Sequence, residues 1–330
     1  MRKPKEAHVP ANTNLLSVLM NDPQTMGWIV NNFINIRFNS DSGWDEFHRV
    51  GMWYECPWIE DNCFSRNFYD LNWSNFKDFV FRAIDNGYYV YISINMRHVR
   101  LYETNRNEDH NVFIYGYDRN IEAFLLTEFN FHGNFEFMCV PIAELQKGFE
   151  TYFDVSHVTG ETKIHLIKKK HKCDYRFSFE EMKGKLIDYL ASTDPADRYH
   201  VDMYHMDTRG IGNYYCGISY YDGLLRVLKD TGDMSIRPLQ LLVFRNYINR
   251  LRLEYIWGQI GCENGLGESL ALLDRETRLV RNLVLKYKIK NEIGKNSVCI
   301  INRITQLKEI DRFFHEELIK RLSVKGFVRK

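Results

Sequence analysis

No run of about 18 or more apolar residues occurs in the sequence, so no transmembrane helix is expected. There is no Cys-x-x-Cys pair and no histidine cluster at zinc spacing, which excludes the common structural zinc sites. The seven cysteines (Cys56, Cys63, Cys139, Cys173, Cys216, Cys262 and Cys299) are odd in number and read as the thiols of a reduced chain. The opening stretch MRKPKEAHVPANT has no apolar signal core, so a cytoplasmic protein is the expectation. No internal repeat and no low-complexity tract is present, which argues against a solenoid. Charge of one sign is also missing. With a net charge of +1, there is no electrostatic case for nucleic acid as a partner. The one basic run, IKKKHK at Ile167 to Lys172, reads as a solvated linker or strand end. Its functional alternative is a landing patch for an acidic partner such as a carrier protein.

What is present supports a folded enzyme-sized chain. Its 330 residues allow two domains or one large one. Hydrophobic residues make up 45% and charged residues 26%, which supplies a sizeable core and argues against disorder. The 20 Tyr and 22 Phe fit an aromatic core first and the walls of a broad cavity second.

Periodicity changes along the chain. TNLLSVLMN and MGWIVNNFINIRF carry apolar residues at helical spacing, including Leu15, Leu16, Leu19, Trp28 and Phe33. WSNFKDFVFRAIDNG reads as a helix capped by Ser74, buried through Phe76, Phe79, Val80 and Ile84, and stopped at Gly87. Tyr88 to Met96 is β-branched and aromatic, hence a strand. FEFMCVPIAELQKGFETY gives a strand, a proline at a helix start and a short amphipathic helix. Beyond Lys172 the text is helical. SFEEMKGKLIDYLAS pairs a Ser178 cap with Glu181 at capping-box spacing. Four further amphipathic stretches, beginning at Tyr220, Arg237, Ser269 and Asn296, could form a bundle. The expectation is an α+β protein, with a core over 1–155 and a mostly helical region over 156–330 that covers the site and docks a partner. The order of a helix first and an antiparallel sheet later fits a papain-like core.

The stretch EDHNVFIYGYDRNIEAFLLTEFN, Glu108 to Asn130, reads as a hairpin turning about Arg119. That register sets His110 opposite Glu128, on the same face as Val112, Ile114, Phe124 and Leu126. A carboxylate on one ring nitrogen fixes the imidazole tautomer and leaves the other nitrogen for base chemistry. The bland reading is a polar pair at a sheet end. His98, His132, His165, His200 and His205 lack a partner at similar register and read as surface or packing residues.

A nucleophile belongs at the start of a buried helix, where the dipole and free N–H groups lower a thiol's pKa and hold an oxyanion. Cys56 and Cys63 flank CPWIEDNC without a long helix after them and read as structural. The first helix, opening near Ala11 or Asn12, has the right character but no cysteine. Its Thr13 and Ser17 read more easily as a cap and a helix-face residue.

The runs NLLSVL, WYECPWIEDN, HNVFIYGYD with LLTEF, and YYCGISYYDGLLRVL resemble the family of the N-terminal domain of butirosin biosynthesis protein H. That family is papain-like and peptidase C39-like, and acts as acyltransferases in natural-product pathways. The resemblance spans most of the chain, and the histidine hairpin is its most specific part. It implies a cysteine acyl-enzyme, His110 as base, and Glu128 as the third member where aspartate is commoner. It implies an acyl or peptidyl carrier protein as partner, whose phosphopantetheine arm delivers the acyl group, a small amine or diamine as acceptor, and no bound cofactor or metal. Among such proteins the chain resembles those that join carrier-bound acyl chains to a diamine. The family's cysteine falls on Ala11 here, so the chain departs from the pattern at the nucleophile. A Cys→Ala variant is one explanation, favoured by the intact His–Glu pair; a natural non-catalytic relative, serving binding or immunity, is another. A cysteine peptidase or thioesterase is the alternative chemistry.

Overall fold

The computed structural model describes residues 1–47, 56–129, 134–154, 163–194, 213–260 and 265–324. The described elements run α1 (Pro10–Leu19), α2 (Met26–Asn32), β1 (Ile36–Asn39), β2 (Asp45–Phe47), β3 (Ile59–Ser65), α3 (Arg66–Asn72) and α4 (Phe76–Asp85). There follow β4 (Tyr89–Asn95), β5 (Asp109–Asp118), β6 (Ala123–Phe129), β7 (Phe135–Pro141), α5 (Ile142–Glu150) and β8 (Lys163–Lys169). The rest is α6 (Phe179–Leu190), β9 (Tyr214–Cys216), α7 (Tyr220–Thr231), α8 (Arg237–Ile260), α9 (Gly267–Ile289) and α10 (Ser297–Val324). The fold is mixed α+β, with antiparallel sheets and a helical C-terminal region. Among the described residues no helix is long and apolar enough to cross a membrane.

Two compact units form, Met1–Pro23 with Met52–Tyr175, and Gln24–Gly51 with Arg176–Lys330. The expected division at 155/156 is therefore corrected at two places. Strand β8 belongs to the first unit because it fills the sheet between β3 and β4. The segment from Gln24 belongs to the second because α2 packs on α8 and β1 pairs with β9.

The first unit is built on a six-stranded sheet of order β3-β8-β4-β5-β6-β7, antiparallel throughout. One face carries Val90, Ile92, Ile94, Val112, Ile114, Phe124 and Leu126, packed with Phe76, Phe79 and Val80 of α4 and with Leu145 and Phe149 of α5. Each such side chain contributes about 1.5–3 kcal/mol on burial. Helix α4 is capped by Asn75, which accepts from the Asp78 N–H, and not by the expected Ser74. Gly87, at φ +81°, takes the left-handed position that ends it. Helix α1 lies against β5 and β6 and is buried from Asn12 to Leu19. A helix buried all round must satisfy its polar groups internally. Ser17 Oγ donates to the Thr13 carbonyl at 2.8 Å, and Thr127 Oγ1 of β6 donates to Asn14 Oδ1 at 2.6 Å.

In the second unit, the helical periodicity of 26–38 stops at Asn32, and Ile36–Asn39 is a strand between β2 and β9. Buried Arg252 explains the stop, since its Nε and Nη2 donate to the carbonyls of Val30 and Phe33 at 2.8 Å, at the end of α2. The long helices pack in sequence, α8 on α9 and α9 on α10, with α10 also meeting α6 and α7. Gly217 has φ +57°, and a Cβ there would lie 2.2 Å from the Tyr189 carbonyl oxygen, so only glycine fits. Arg245, Asp311 and His315 form a fully buried cluster joined by the hydroxyls of Tyr189 and Tyr221.

Candidate active site

The hairpin of β5 and β6 forms, in a register two residues from the expected one. Ile114 pairs with Leu126 and Phe113 with Thr127, and a bulge separates Ile114 from Gly116. The turn spans Arg119 to Glu122, between the paired Asp118 and Ala123, instead of centring on Arg119. Glu122 takes φ +49° to close it. On the open side of the bulge the slip of two preserves the face of each side chain, because alternation has a period of two, whereas between the bulge and the turn the slip is three. His110 and Glu128 thus keep the parity of Ile114 and Leu126 but are diagonal, not directly opposed.

The diagonal is short enough to bridge. His110 Nε2 lies 2.8 Å from Glu128 Oε2, with side-chain exposures of 29% and 1%. A carboxylate only accepts, which places the ring proton on Nε2. Nδ1 has no hydrogen-bond partner among the described residues, so it is the nitrogen left for chemistry. Glu128 is held by two further donors, the Tyr102 hydroxyl at 3.0 Å on Oε2 and the Phe129 N–H at 2.6 Å on Oε1. Tyr102 also packs on the imidazole, ring centroids 4.9 Å apart. Burial, and then the Glu128 charge, push the Tyr102 hydroxyl far above its ordinary range, so it stays a donor. Nothing in RHVRLYETN signalled that role in sequence; it depends on the turn after β4 delivering Tyr102 to the sheet end.

Ala11 is the second residue of α1 and is half-buried. It stands one helical turn before Asn14, whose Oδ1 accepts from Thr127, the residue preceding Glu128. Strand alternation turns Thr127 toward α1 and gives Glu128 the parity of Leu126, so His110 and Glu128 project from the sheet face opposite α1, and the structure does not bring Ala11 into contact with them. The first turn of α1 is polar. Asn12 and Asn14 are buried, and Asn12 Oδ1 and Asn14 Nδ2 have no hydrogen-bond partner among the described residues. Thr13 and Ser17 are fully buried and engaged, Thr13 Oγ1 accepting from the His8 N–H at 3.2 Å. The helix N-cap is Val9, so the expected capping role of Thr13 is not the one it plays.

A second histidine has partners that its sequence position did not reveal. His165 on β8 is directly opposite Cys63 on β3, and Asp61 is two residues from Cys63 on the same face. His165 Nδ1 lies 2.9 Å from Asp61 Oδ2, and Nε2 lies 3.7 Å from Cys63 Sγ. The reading of His165 as unpartnered is corrected accordingly. The D-x-C spacing of IEDNCFS was legible, but pairing with a strand about a hundred residues later was not. Cys56 is buried, and burial pushes its thiol up to about 12, which makes it inert. His132, His200, His205 and Cys262 lie outside the described residues. Among the described residues no group of three or more His, Cys, Asp or Glu side chains could hold a metal ion.

No protein-family model matches this chain, and no curated protein matches it.

Proposed function

We propose that the chain is a papain-like acyltransferase relative, of the kind that moves an acyl group from a carrier-protein thioester to a small amine or diamine in the cytoplasm. The observation that carries this reading is the 2.8 Å contact between His110 Nε2 and Glu128 Oε2, which leaves Nδ1 of a half-buried imidazole unpartnered among the described residues. The buried, incompletely paired asparagines in the first turn of α1 support a polar site there.

In the active form of such a site a cysteine stands at position 11. For His110 Nδ1 to take its proton as sulfur bonds to the acyl carbon, the two groups must meet past the open end of the sheet, since α1 lies against the other face; the phosphopantetheine thiolate then leaves and takes the proton back. An amine then attacks the acyl-enzyme, His110 accepts its proton, and the C–S bond breaks to return the thiol. Glu128 stabilises the imidazolium at each stage. N–H groups at the start of α1 serve the oxyanion.

Ala11 supplies no nucleophile, so this chain is inert at position 11 as it stands. Ala11 also favours a second reading, a relative that binds the acyl donor or product without turning it over. The Ala11→Cys variant, given an acyl thioester, separates the two. Gain of an acyl adduct at position 11 that passes to an added amine supports the acyltransferase. Passage to water alone gives the thioesterase alternative. No adduct in a folded variant leaves the binding reading.

A further inference from the structure

We propose that Cys63, His165 and Asp61 form a separate site at which Cys63 is a base-assisted nucleophile toward activated acyl thioesters. The site rests on β3 and β8 alone and does not depend on the assignment at position 11.

The geometry is that of a relay and not of a chelate. Asp61 and Cys63 hold opposite nitrogens of one imidazole, at 2.9 and 3.7 Å. Asp61 is nearly enclosed, with its side chain 3% exposed, so its orientation of the ring is fixed. The Asp61 carboxylate places the proton on Nδ1 and leaves Nε2 as an acceptor aimed at the thiol. Tyr91 of β4 packs edge-on against the ring, centroids 6.0 Å apart, and limits its rotation. Cys63 itself is exposed, on a strand at the edge of the sheet. A reagent therefore reaches the sulfur without any element moving.

The groups facing the site are Asp61 from β3, Lys163 from β8 and Tyr91 from β4. Burial, then Asp61, raise the Cys63 thiol above its ordinary range, and Lys163 acts the other way. The thiol consequently rests protonated, and attack must be coupled to proton transfer. Such a site is weak toward unactivated amides. It suits an electrophile whose leaving group needs little help, and a thioester is that electrophile. In the step, Cys63 sulfur bonds to the acyl carbon while its proton moves to His165 Nε2. The thioester C–S bond breaks, and the departing thiolate takes the proton from Nε2, leaving an S-acyl cysteine and a free thiol. Asp61 does not touch the reacting atoms and is a positioning residue.

The test uses the full chain with S-acetyl-N-acetylcysteamine as probe, and follows acetylation of each cysteine by peptide mass spectrometry. Cys139 and Cys299, both exposed, are internal standards. Cys63 should acetylate about 10²-fold faster than either, and His165→Gln should bring it down to their rate. Its rate–pH profile should level off through neutrality, in place of the roughly tenfold rise per pH unit of a thiol that reacts only as free thiolate. Asp61→Asn should slow Cys63 toward the rate of Cys139 and Cys299, and Asp61→Glu should restore part of the rate, because the ring depends on a carboxylate to orient it. The proposal is overturned if Cys63 reacts no faster than Cys139 and Cys299, or if a folded His165→Gln protein keeps the wild-type rate. Should His165→Gln fail to fold, the wild-type profile decides, and a rise without levelling overturns the site.

Discussion

Of three histidine–carboxylate pairs among the described residues, His315–Asp311 and His110–Glu128 have the same chemistry on paper and opposite surroundings. His315 and Asp311 in the helical unit are both fully enclosed. Nδ1 of His315 meets Asp311 at 2.8 Å, and Nε2 accepts from Arg245 at 2.9 Å. Asp311 also accepts from Arg245, Tyr189 and Tyr221. Every position around that imidazole is used, and the cluster can only hold helices together. In the sheet unit, His110 engages one nitrogen and is 29% exposed. What separates the two is an open nitrogen and a path to it, not the presence of the pair.

The contrast is sharpest in stability. Asp311→Ala should cost about 3–5 kcal/mol, since it strands a buried guanidinium and two buried hydroxyls. Denaturant unfolding reads this directly, and a loss under about 1 kcal/mol would break the comparison. At the junction of α1 and β6, Thr127→Val should cost about 1–3 kcal/mol, because Asn14 Oδ1 loses its donor in a buried setting.

Acid should act through the enclosed pair. Burial is the main cause that lowers the proton affinity of His315. Burial alone would raise the Asp311 carboxyl; Arg245 and His315 outweigh it and hold it far below the usual range. An unfolded chain takes up the histidine proton below about pH 6.5 while the folded one refuses it. Stability contributed by a neutral His315 is therefore present above that pH and lost as pH falls, by at most about 1.4 kcal/mol per unit. Melting temperature recorded from pH 7.5 to 5 checks it, and His315→Gln should flatten the slope. The smallest effect belongs to the open pair. His110→Gln should change stability by under about 1 kcal/mol, as measured by the same unfolding experiment.

The parts of this fold that local pattern encodes were legible. RPLQLLVFRNYINRLRLEYIWGQI is α8 over its full length, and Ser178 caps α6 by accepting from the Glu181 N–H. His110 and Glu128 were placed on one face because parity survives a register slip of two, although the bulge before Gly116 was invisible. Non-local pairing was not legible. Nothing near Lys163–Lys169 says that it inserts between β3 and β4, and the Cys63–His165–Asp61 contact followed only from that insertion. The same insertion gives two lysines of the basic run partners within the fold, Lys169 pairing with Asp22 at 2.7 Å and Lys168 donating to the Asn86 carbonyl at 2.9 Å. Residues 26–38 read as helix because their apolar spacing is helical to Phe33, yet β1 is fixed by partners at both sides.

As proposed above, His110 and Glu128 are the intact part of an acyl-transfer site whose nucleophile position is Ala11. This assignment is tested most directly by intact-protein mass spectrometry of an Ala11→Cys, Cys63→Ser double variant incubated with an acyl thioester. The Cys63→Ser protein and an Ala11→Cys, Cys63→Ser, His110→Gln protein serve as references. The expected result is a single acyl adduct that maps to position 11, is absent from the Cys63→Ser protein, and forms about 10²–10⁴-fold more slowly without His110. A folded double variant that gains no adduct, or gains one at the same rate when His110 is replaced, would contradict it.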